Sequence, residues 1–545
     1  MPACEPREPP PATETPGSWH GVGVRPGCIW LGGLARWLAA RGACLDQNDV
    51  EDFANRLEDA WEYLQLNAGD PYLPDVISLA DVGNEWPAFK KSLVRRVESG
   101  EYSPTVIDVI DFPKDALNVR PLSRFSLEDR LVYEACLFTV APIIDAAIPR
   151  RVFSYRWSRW KRRLYSPKTR WIHMQRRARQ IHRRNLGHLL LRTDISAFYE
   201  YIDLGILHGE LRRLELPSWA LSTLEDFLRD FNSFSKAWGL PQGPDTSGVL
   251  ANLYLLPLDN MISRLGLQHV RYSDDLMVFG PTWNELKSVL MQLNGICRSR
   301  HLTLSSAKTK IIPAAEVPAE FEDTSKDAIR YGIDIAADDS AENLRLYFDT
   351  AAEAINVRDI RFSLNQLLRI EDDWAVGWLL GHLPELPHMA DDAVRYLTMF
   401  RAKRGDIDEA IAAMLANGDF SLYPPVERRV IQYLVLSHTF KPKALDKCWE
   451  IVSDSNRSSI VREFAARYVG RFCRTGDGAQ LRELYERESI ERVRRAILIA
   501  CYEAGDYPQQ FLRDISRTNT TFGRTARYLL TEPKIIPCPP LDVVW

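Results

Sequence analysis

The chain has 545 residues, of which 46% are hydrophobic and 26% charged, with a formal net charge of −4. This length allows two or three domains with sizeable cores, and the charge excludes a chain that is basic throughout. The nine cysteines are scattered and show no Cys-x-x-Cys spacing, which argues against a zinc site or a disulfide framework and for reduced thiols in a cytoplasmic protein.

The sequence of the N-terminal region does not predict a membrane-spanning segment. Residues 1–27 are rich in proline and glutamate and poor in apolar side chains, so we expect a disordered tail. The apolar stretch at 28–40 is too short to span a bilayer and is interrupted by Arg36, and the leader before it is unlike a secretory signal. We expect residues 28–99 to form a helical segment that leads into the next domain.

Residues 150–192 form a basic segment within this mildly acidic chain. They contain fifteen Lys or Arg and no Asp or Glu, with Trp and Tyr interleaved among the charges. This composition is typical of grooves that bind single-stranded nucleic acid, where bases stack on aromatic rings and cations contact phosphates. The alternative is a solvated basic face. The side chains predicted to bind nucleic acid are Arg156, Arg159, Lys161, Arg162, Arg163, Arg176 and Arg177.

Two later segments predict carboxylates at strand ends. The apolar run at 189–193 is typical of a buried strand that delivers Asp194 to the edge of a sheet. Residues 269–279 predict a β-hairpin with Asp274 and Asp275 at its turn. An Asp pair in a turn is more often ordinary turn chemistry. Mg²⁺, however, is usually held by one or two carboxylates plus substrate phosphates, so Asp194 and Asp274 together suit nucleotidyl transfer.

A glycine- and proline-rich loop separates the two acidic segments. It covers residues 239–248, includes Gln242 and Gly243, and leads into residues 249–255, whose pattern predicts a helix. A loop of this composition can approach a nucleotide closely.

In combination, these motifs resemble the palm of reverse transcriptases. The shared features are Asp194 with Tyr199 five positions on, Leu-Pro-Gln-Gly at 240–243, and Tyr-Ser-Asp-Asp at 272–275, in the same order. Their joint occurrence carries the resemblance, because each piece alone is common.

The resemblance extends on both sides of the palm. Residues 301–311 are similar to the segment that follows the catalytic hairpin in bacterial and group II intron reverse transcriptases, and residues 113–156 are similar to their fingers. It covers about residues 100–313 and implies a fingers and palm domain over residues 100–318.

The resemblance implies a catalytic role for four side chains. Asp194, Asp274 and Asp275 would hold two Mg²⁺ ions, with Mn²⁺ as an alternative. One ion would activate the attacking hydroxyl and the other would neutralise the leaving pyrophosphate. Lys308 is the candidate to donate a proton to that pyrophosphate.

Five further side chains would contact the incoming nucleotide. Lys114 and Arg120 match the finger residues that grip the triphosphate. Tyr199 matches the aromatic residue that packs under the sugar and excludes a 2′-hydroxyl, which argues for dNTPs. Gln242 and Gly243 would shape the nucleotide pocket.

Two positions depart from the family pattern. Ser273 replaces the usual Ala or Met of the hairpin, and its small size leaves the turn intact. Residues 244–246 replace the smaller residues common in intron enzymes and could re-aim the nucleotide or template contact. Templated and template-independent synthesis therefore both stay open.

Residues 319–545 predict a separate all-α domain. Amphipathic helical segments follow one another at a spacing of thirty-odd residues, with short polar links. This resembles a HEAT-like α-solenoid, with a compact helical bundle as the alternative. The predicted fold class is α+β: a reverse-transcriptase fingers and palm, in the right-hand polymerase arrangement, followed by an all-α HEAT-like repeat domain.

The combination of palm, fingers and helical repeats resembles the abortive-infection and other defence-associated reverse transcriptases of bacteria. The resemblance implies an RNA-directed DNA polymerase, or a template-independent one primed by a protein side chain, in antiphage defence. Its expected partners are dNTPs, RNA or single-stranded DNA, and further copies of itself in a homo-oligomer. Two alternatives are a group II intron-like enzyme that copies a cognate RNA, and a non-catalytic nucleic-acid-binding scaffold.

Overall fold

The computed structural model describes residues 46–66, 73–105, 107–234, 239–321, 323–474, 476–505, 507–531, 533 and 536–541. The tail predicted at 1–27 and the apolar stretch at 28–40 lie outside these residues. Within the described part, no helix combines the length and apolarity needed to cross a membrane.

Helices and one β-hairpin open the described part of the chain. They are α1 (Gln47–Leu66), α2 (Ala80–Asn84), α3 (Trp86–Glu98), β1 (Asp108–Pro113), β2 (Val119–Arg124) and α4 (Leu127–Ala147). Helix α4 begins at Ser126, whose side chain accepts a hydrogen bond from the amide of Asp129, as is typical of an N-cap. It is apolar on nearly all sides and packs against α1, so it forms the centre of the N-terminal core.

The next region contains a small hairpin, a sheet and the helices around it. Its elements are β3 (Trp157–Ser158), β4 (Arg163–Leu164), α5 (Pro167–Arg184), β5 (Leu189–Thr193), α6 (Leu204–Leu211), α7 (Ser218–Phe234), α8 (Asp245–Tyr254), α9 (Leu256–Arg264), β6 (Gln268–Tyr272), β7 (Asp275–Gly280), α10 (Trp283–Ser299) and β8 (Lys310–Ile312). The strand predicted before Asp194, the hairpin around Asp274 and the helix after the Gly/Pro-rich loop are all confirmed.

The four-stranded sheet has the order β6-β7-β5-β8 and is antiparallel throughout. Strand β5 lies between β7 and β8, with Thr193 opposite Leu276 and Leu189 opposite Gly280. The end of β5 therefore lies beside the start of β7. This register brings residues that are distant in sequence to one edge of the sheet.

Each face of the sheet belongs to a different core. Leu191 and Val278 face the cluster that contains α4, whereas Leu190 and Phe279 face a smaller cluster under α5. The alternation follows from the two-residue period of a strand. Because both faces are buried, the two central strands β5 and β7 are largely apolar.

The C-terminal region is all helical in its described residues. Its helices are α11 (Thr324–Asp334), α12 (Ser340–Glu353), α13 (Val357–Arg369), α14 (Val376–His382), α15 (Ala390–Phe400), α16 (Asp406–Asn417), α17 (Pro424–Leu436), α18 (Pro442–Ser453), α19 (Ser459–Phe472), α20 (Asp477–Arg487), α21 (Glu491–Ala504), α22 (Gln509–Ser516) and α23 (Thr521–Leu530).

These helices pack in a repeating order. Helix α15 contacts α17, α17 contacts α19, α19 contacts α21 and α21 contacts α23, while α14, α16 and α18 form a second row. Packing between every second helix is the arrangement of a two-layer solenoid and differs from that of a compact bundle. The predicted α+β class with a helical C-terminal region is confirmed.

One face of the repeat domain is covered by other parts of the same chain. Ile110 and Leu122 of the β1–β2 hairpin belong to the core of the C-terminal helices. Arg124 forms a two-pronged, buried ion pair with Glu463 of α19, at 2.6 and 2.8 Å. Arg467 donates to carbonyl oxygens of Val76 and Pro537. Helix α19 therefore carries buried charges because it contacts segments that are remote in sequence.

We predict that Glu463→Gln destabilises the protein by about 3–5 kcal/mol, because it leaves the buried Arg124 guanidinium without its counter-charge. Burial and the neighbouring Arg124 already lower the pKa of Arg492 to about 10. Loss of the Glu463 charge would therefore leave Arg124 and Arg492 together without it. Urea unfolding monitored by circular dichroism measures the effect. Replacing both partners with Arg124→Met and Glu463→Leu should recover most of it, and a cost below about 1 kcal/mol for Glu463→Gln alone would contradict the prediction.

Candidate active site

The turn between β6 and β7 is held in an unusual backbone conformation. Ser273 has φ 55°, a left-handed value that non-glycine residues seldom adopt. Its amide donates to Ser154 Oγ at 2.8 Å, and Arg271 Nη1 donates to its carbonyl at 2.9 Å. The turn that carries Asp274 is therefore fixed from both sides.

A buried network supports that turn. The Arg271 guanidinium forms an ion pair with Asp259 of α9, with Nη2 to Oδ2 at 2.6 Å, and both side chains are almost fully buried. Arg271 also donates to Asn252 Oδ1 at 3.0 Å, and the Asn252 amide donates to the carbonyl of Ser154 at 2.8 Å. A hydrogen-bonded buried pair of this kind gives a defined geometry.

The three predicted acids lie at one edge of the sheet. Asp194 follows β5, and Asp274 and Asp275 lie at the start of β7, where the register places them side by side. Burial, and then the Asp194 carboxylate, raise the pKa of Asp274 to about 6. Burial also raises the pKa of Asp275, with Asp194 contributing in the same direction. The structure therefore brings the three carboxylates close enough to repel one another.

Two cations lie against these acids. Lys308 Nζ is 2.9 Å from Asp194 Oδ2, and Arg192 Nη2 is 3.6 Å from Asp275 Oδ2. Lys308 is placed by the chain that pairs with the end of β5, since the amide of Ser305 donates to the Asp194 carbonyl at 2.7 Å. Lys308 thus joins the acidic cluster, and its role as a proton donor stays a prediction.

The carboxylates fit a divalent cation by their chemistry. In the described residues, no group of three or more His, Cys, Asp or Glu is arranged to hold a metal ion, and Lys308 and Arg192 contact two of the three acids. Carboxylate oxygens are nevertheless the ligands that Mg²⁺ prefers. Burial and the Asp194 carboxylate raise the pKa of Asp274, and a bound cation would offset both effects. Asp194, Asp274 and Asp275 are therefore the residues that would hold it.

Tyr199 lies next to this cluster and is positioned by the Gly/Pro-rich loop. It belongs to the 3-10 turn Phe198–Tyr201, and its carbonyl accepts from the amide of Leu240 at 2.9 Å. Burial, and to a smaller extent the Asp274 carboxylate, raise the pKa of Tyr199 to about 12. The phenol is therefore neutral at physiological pH and presents ring surface near the acids.

Gln242 and Gly243 connect this loop to the β1–β2 hairpin. The carbonyl of Gln242 accepts from the amide of Ser123 on β2 at 2.9 Å, and its side-chain amide is 3.5 Å from Glu200. Gly243 has φ 120°, a conformation that favours glycine. The loop therefore spans the distance between the palm sheet and the fingers.

Lys114 and Arg120 are both exposed on the β1–β2 hairpin. Lys114 lies just beyond β1, and its amide donates to the carbonyl of Asn118. Among the described residues, no hydrogen bond or ion pair joins either side chain to the carboxylates. The structure thus leaves both cations open to solvent and does not bring them into the acidic cluster.

The basic side chains predicted to bind nucleic acid fall into two groups. Arg156 points into the protein, with Nε 2.7 Å from Asp145 and Nη1 2.8 Å from the carbonyl of Pro149. The other six side chains do not take part in these contacts with Asp145 and Pro149. Four are exposed around the β3–β4 hairpin and two lie on α5: Arg159, Lys161, Arg162 and Arg163, and Arg176 and Arg177. Arg156 therefore stabilises the base of the hairpin, and a role in nucleic-acid contact stays a prediction for the other six.

The antiparallel sheet with three acids at one edge defines a polymerase palm, the catalytic domain of nucleotidyl-transferring enzymes. Residues 112–331 match the family model described as "Reverse transcriptase (RNA-dependent DNA polymerase)". This part of the chain is a reverse transcriptase domain, and the protein is accordingly an RNA-directed DNA polymerase, a nucleotidyltransferase.

Two further comparisons add little to this assignment. Among solved structures, a telomerase from Candida albicans, determined in complex with the TWJ fragment of telomeric RNA, is similar at 10% identity and a TM-score of 0.25. That similarity covers 82% of this chain and 70% of the telomerase chain. No curated protein matches the sequence.

Several residues that shape the site were not predicted from the sequence. Arg271 and Asp259 are the main examples, together with Ser154 and Arg192. The one local signal is that Arg271 lies within a strand of the predicted hairpin, where a buried charge would need a partner. Nothing in the sequence identifies that partner.

We predict that the metal-free protein loses stability as pH rises from about 4 to about 6. The raised pKa of Asp274 means that the folded state keeps a proton which the unfolded chain has already lost, so the free energy of unfolding falls with pH in this window. Asp274→Asn should remove this loss and be more stable than the natural protein at pH 7.5 in EDTA, by up to about 3 kcal/mol.

Urea unfolding from pH 4 to pH 8 in EDTA measures the difference. The two proteins should converge near pH 4, and added Mg²⁺ should stabilise only the natural protein at pH 7.5. Stability curves that run parallel over the whole range would contradict the prediction.

We predict that Gly239→Ala disturbs the backbone at Tyr199. Gly239 has φ 76°, and an added Cβ would lie 2.1 Å from the Tyr199 carbonyl oxygen. Gly266 is a matched control, since it has φ 73° but no atom within 4 Å of an added Cβ. Gly266→Ala should cost about 1 kcal/mol and Gly239→Ala clearly more, as measured by thermal unfolding. Equal losses would show that the Tyr199 contact is not rigid.

Proposed function

We propose that Asp194, Asp274 and Asp275 bind two divalent cations and that the protein transfers nucleotides from dNTPs to a growing DNA strand. Reverse transcriptases generally use divalent metals such as Mg²⁺, and Mn²⁺ is the alternative for this chain. The observation that carries the proposal is the meeting of three carboxylates at one sheet edge, where burial and Asp194 raise the pKa of Asp274 to about 6.

Bound cations would lower the pKa of the attacking hydroxyl and neutralise charge on the leaving pyrophosphate. The chain's own contribution is to hold the acids in place through the Arg271–Asp259 pair and the Ser273 turn. Lys308 is 58% exposed and contacts Asp194, so it is placed to turn from that carboxylate towards a leaving phosphate. In that position its ammonium group would donate the proton that the pyrophosphate needs.

The choice of dNTPs over ribonucleotides rests on Tyr199. Its neutral ring lies beside Asp274, and the loop that contains Gln242 and Gly243 supports it from the side of the fingers. A ring at this position takes up the space that a 2′-hydroxyl would need and offers no carboxylate to accept it. Lys114 and Arg120 would contact the triphosphate from the fingers.

We propose that this polymerase acts in antiphage defence in the bacterial cytoplasm, as a homo-oligomer. The support is the arrangement of the chain, in which a reverse transcriptase domain is followed by a long two-layer helical repeat. Template-independent or protein-primed synthesis is part of the same proposal. A group II intron-like enzyme and a non-catalytic scaffold are the alternatives.

The direct test is incorporation of labelled dNTPs by the purified protein with Mg²⁺ or Mn²⁺, with and without an RNA template and primer. Asp274→Asn should reduce incorporation by at least about 10³-fold, because it removes a carboxylate ligand from the reacting atoms. Asp226→Asn, which alters an exposed acid on α7, should behave like the natural protein.

The outcomes separate the alternatives. Product that requires template and primer supports copying of RNA, whereas template-free product that shifts on protease treatment supports protein priming. Absence of any Asp274-dependent product, with cellular RNA supplied, would favour the scaffold. For the defence role, phage should plate with lower efficiency on cells that express the natural protein than on cells that express Asp274→Asn. Equal plating would overturn that part of the proposal.

A further inference from the structure

The β3–β4 hairpin presents one tryptophan at its tip. Trp160 is 96% exposed, more than any other large hydrophobic side chain in the described residues. Its indole has no ring contact, cation–π contact or hydrogen bond within that part of the chain. A large aromatic surface left wholly in water is unusual and commonly marks a contact site.

The tip is surrounded by positive charge. Arg159, Lys161, Arg162 and Arg163 flank Trp160 and are all exposed. Of the four, Arg162 alone has an acidic partner among the described residues, Asp59 at 2.8 Å, and it remains 63% exposed. The surface around the indole is therefore cationic and open.

The base of the hairpin is rigid. Trp157 is buried, packs edge-on against Phe138 with ring centroids 5.5 Å apart, and donates its amide to Asp145 at 3.1 Å. The same Asp145 pairs with Arg156, and the amide of Lys161 donates to Ser158 Oγ at 3.3 Å. The protein thus holds the hairpin firmly while its tip stays free, which lowers the entropy cost of binding.

A cavity of about 530 Å³ opens beside the hairpin. Its walls are formed by apolar side chains and by arginines of α1 and the hairpin. They include Phe138, Pro142, Trp157, Arg56, Arg159 and Arg162. Apolar walls next to guanidinium groups suit a planar base attached to a phosphate.

The basic surface continues from the hairpin towards the catalytic turn. Helix α5 starts three residues after β4, and at its start the Tyr272 hydroxyl donates to the carbonyl of Pro167 at 3.2 Å. Trp171 packs edge-on against Tyr272 at 5.2 Å. Further along α5, basic side chains including Arg176, Arg177 and Arg183 line a second cavity of about 660 Å³. The start of α5 therefore contacts the catalytic hairpin, and both the β3–β4 hairpin and α5 carry cations on either side of that contact in sequence.

We propose that the β3–β4 hairpin binds single-stranded nucleic acid, with one unpaired base stacked on Trp160 and neighbouring phosphates on the surrounding cations. The stacking platform is separate from the carboxylates. The proposal deepens the proposed polymerase function. It rests on that function only for what the protein does with the bound strand. Binding itself requires neither metal nor chemistry, so it can be tested apart from catalysis.

The test is the affinity of the full-length protein for a fluorescein-labelled twelve-nucleotide oligouridine RNA, measured by anisotropy in EDTA at several salt concentrations. Trp160→Ala should weaken binding about 5- to 100-fold, because one base–aromatic stack is lost. The slope of affinity against salt should stay unchanged, and Trp160→Phe should restore most of the affinity. Trp283→Ala removes another exposed indole, outside the basic segment, and should have no effect.

A second pair of measurements separates stacking from charge. Arg159→Ala should reduce the salt slope by about one phosphate contact. On an oligonucleotide of the same length made of abasic residues, Trp160→Ala should bind like the natural protein, since no base remains to stack.

Two results would overturn the proposal. One is equal affinity of Trp160→Ala and the natural protein for oligouridine. The other is Trp160-dependent binding to vesicles of anionic phospholipid without Trp160-dependent binding to RNA, which would identify a membrane-surface contact. A polymerase assay that fails while the RNA result holds would reject the proposed function and leave the binding site standing.

Discussion

The register of strand β5 is the constraint on which the site depends. Leu190 and Leu191 point into different cores, so a slip by one residue would exchange their faces and expose both sets of apolar contacts. Burial on the two sides of the sheet therefore sets the pairing with β7. That pairing in turn places Asp194 beside Asp274 and Asp275. The apolar packing of the sheet thus determines where the carboxylates meet.

The cluster is electrostatically unfavourable without a ligand, and the surrounding structure compensates. Burial and the Asp194 carboxylate raise the pKa values of Asp274 and Asp275, while Lys308 lies against Asp194 and Arg192 against Asp275. The Arg271–Asp259 pair holds the turn in its left-handed conformation. Strain and repulsion of this kind persist where the rest of the fold over-determines the geometry, and they are typical of catalytic sites.

Local sequence patterns predicted the strands and the turn that carry the acids. They could not predict contacts between residues that are far apart in the sequence. The runs on either side of the turn within 269–279 and the apolar run at 189–193 contain their own evidence for strands. Other features could not be predicted, because each depends on a partner that only the folded chain brings near. They are the pairing of Arg271 with Asp259, the inward position of Arg156 and the packing of the β1–β2 hairpin on α19. A basic segment likewise predicts charge on a surface without indicating which of its arginines are used internally.

The direct test of the proposed metal site is to locate the bound cation along the chain. Fe²⁺ can replace Mg²⁺ at oxygen-ligand sites and, with ascorbate and peroxide, generates radicals that cleave the backbone near the bound ion. We expect cleavage at two places, after β5 near Asp194 and in the turn near Asp274, with competition by Mg²⁺ and loss of both cuts in Asp274→Asn. Cleavage confined to other segments, or unchanged cleavage in Asp274→Asn, would contradict the assignment of these carboxylates as the metal site.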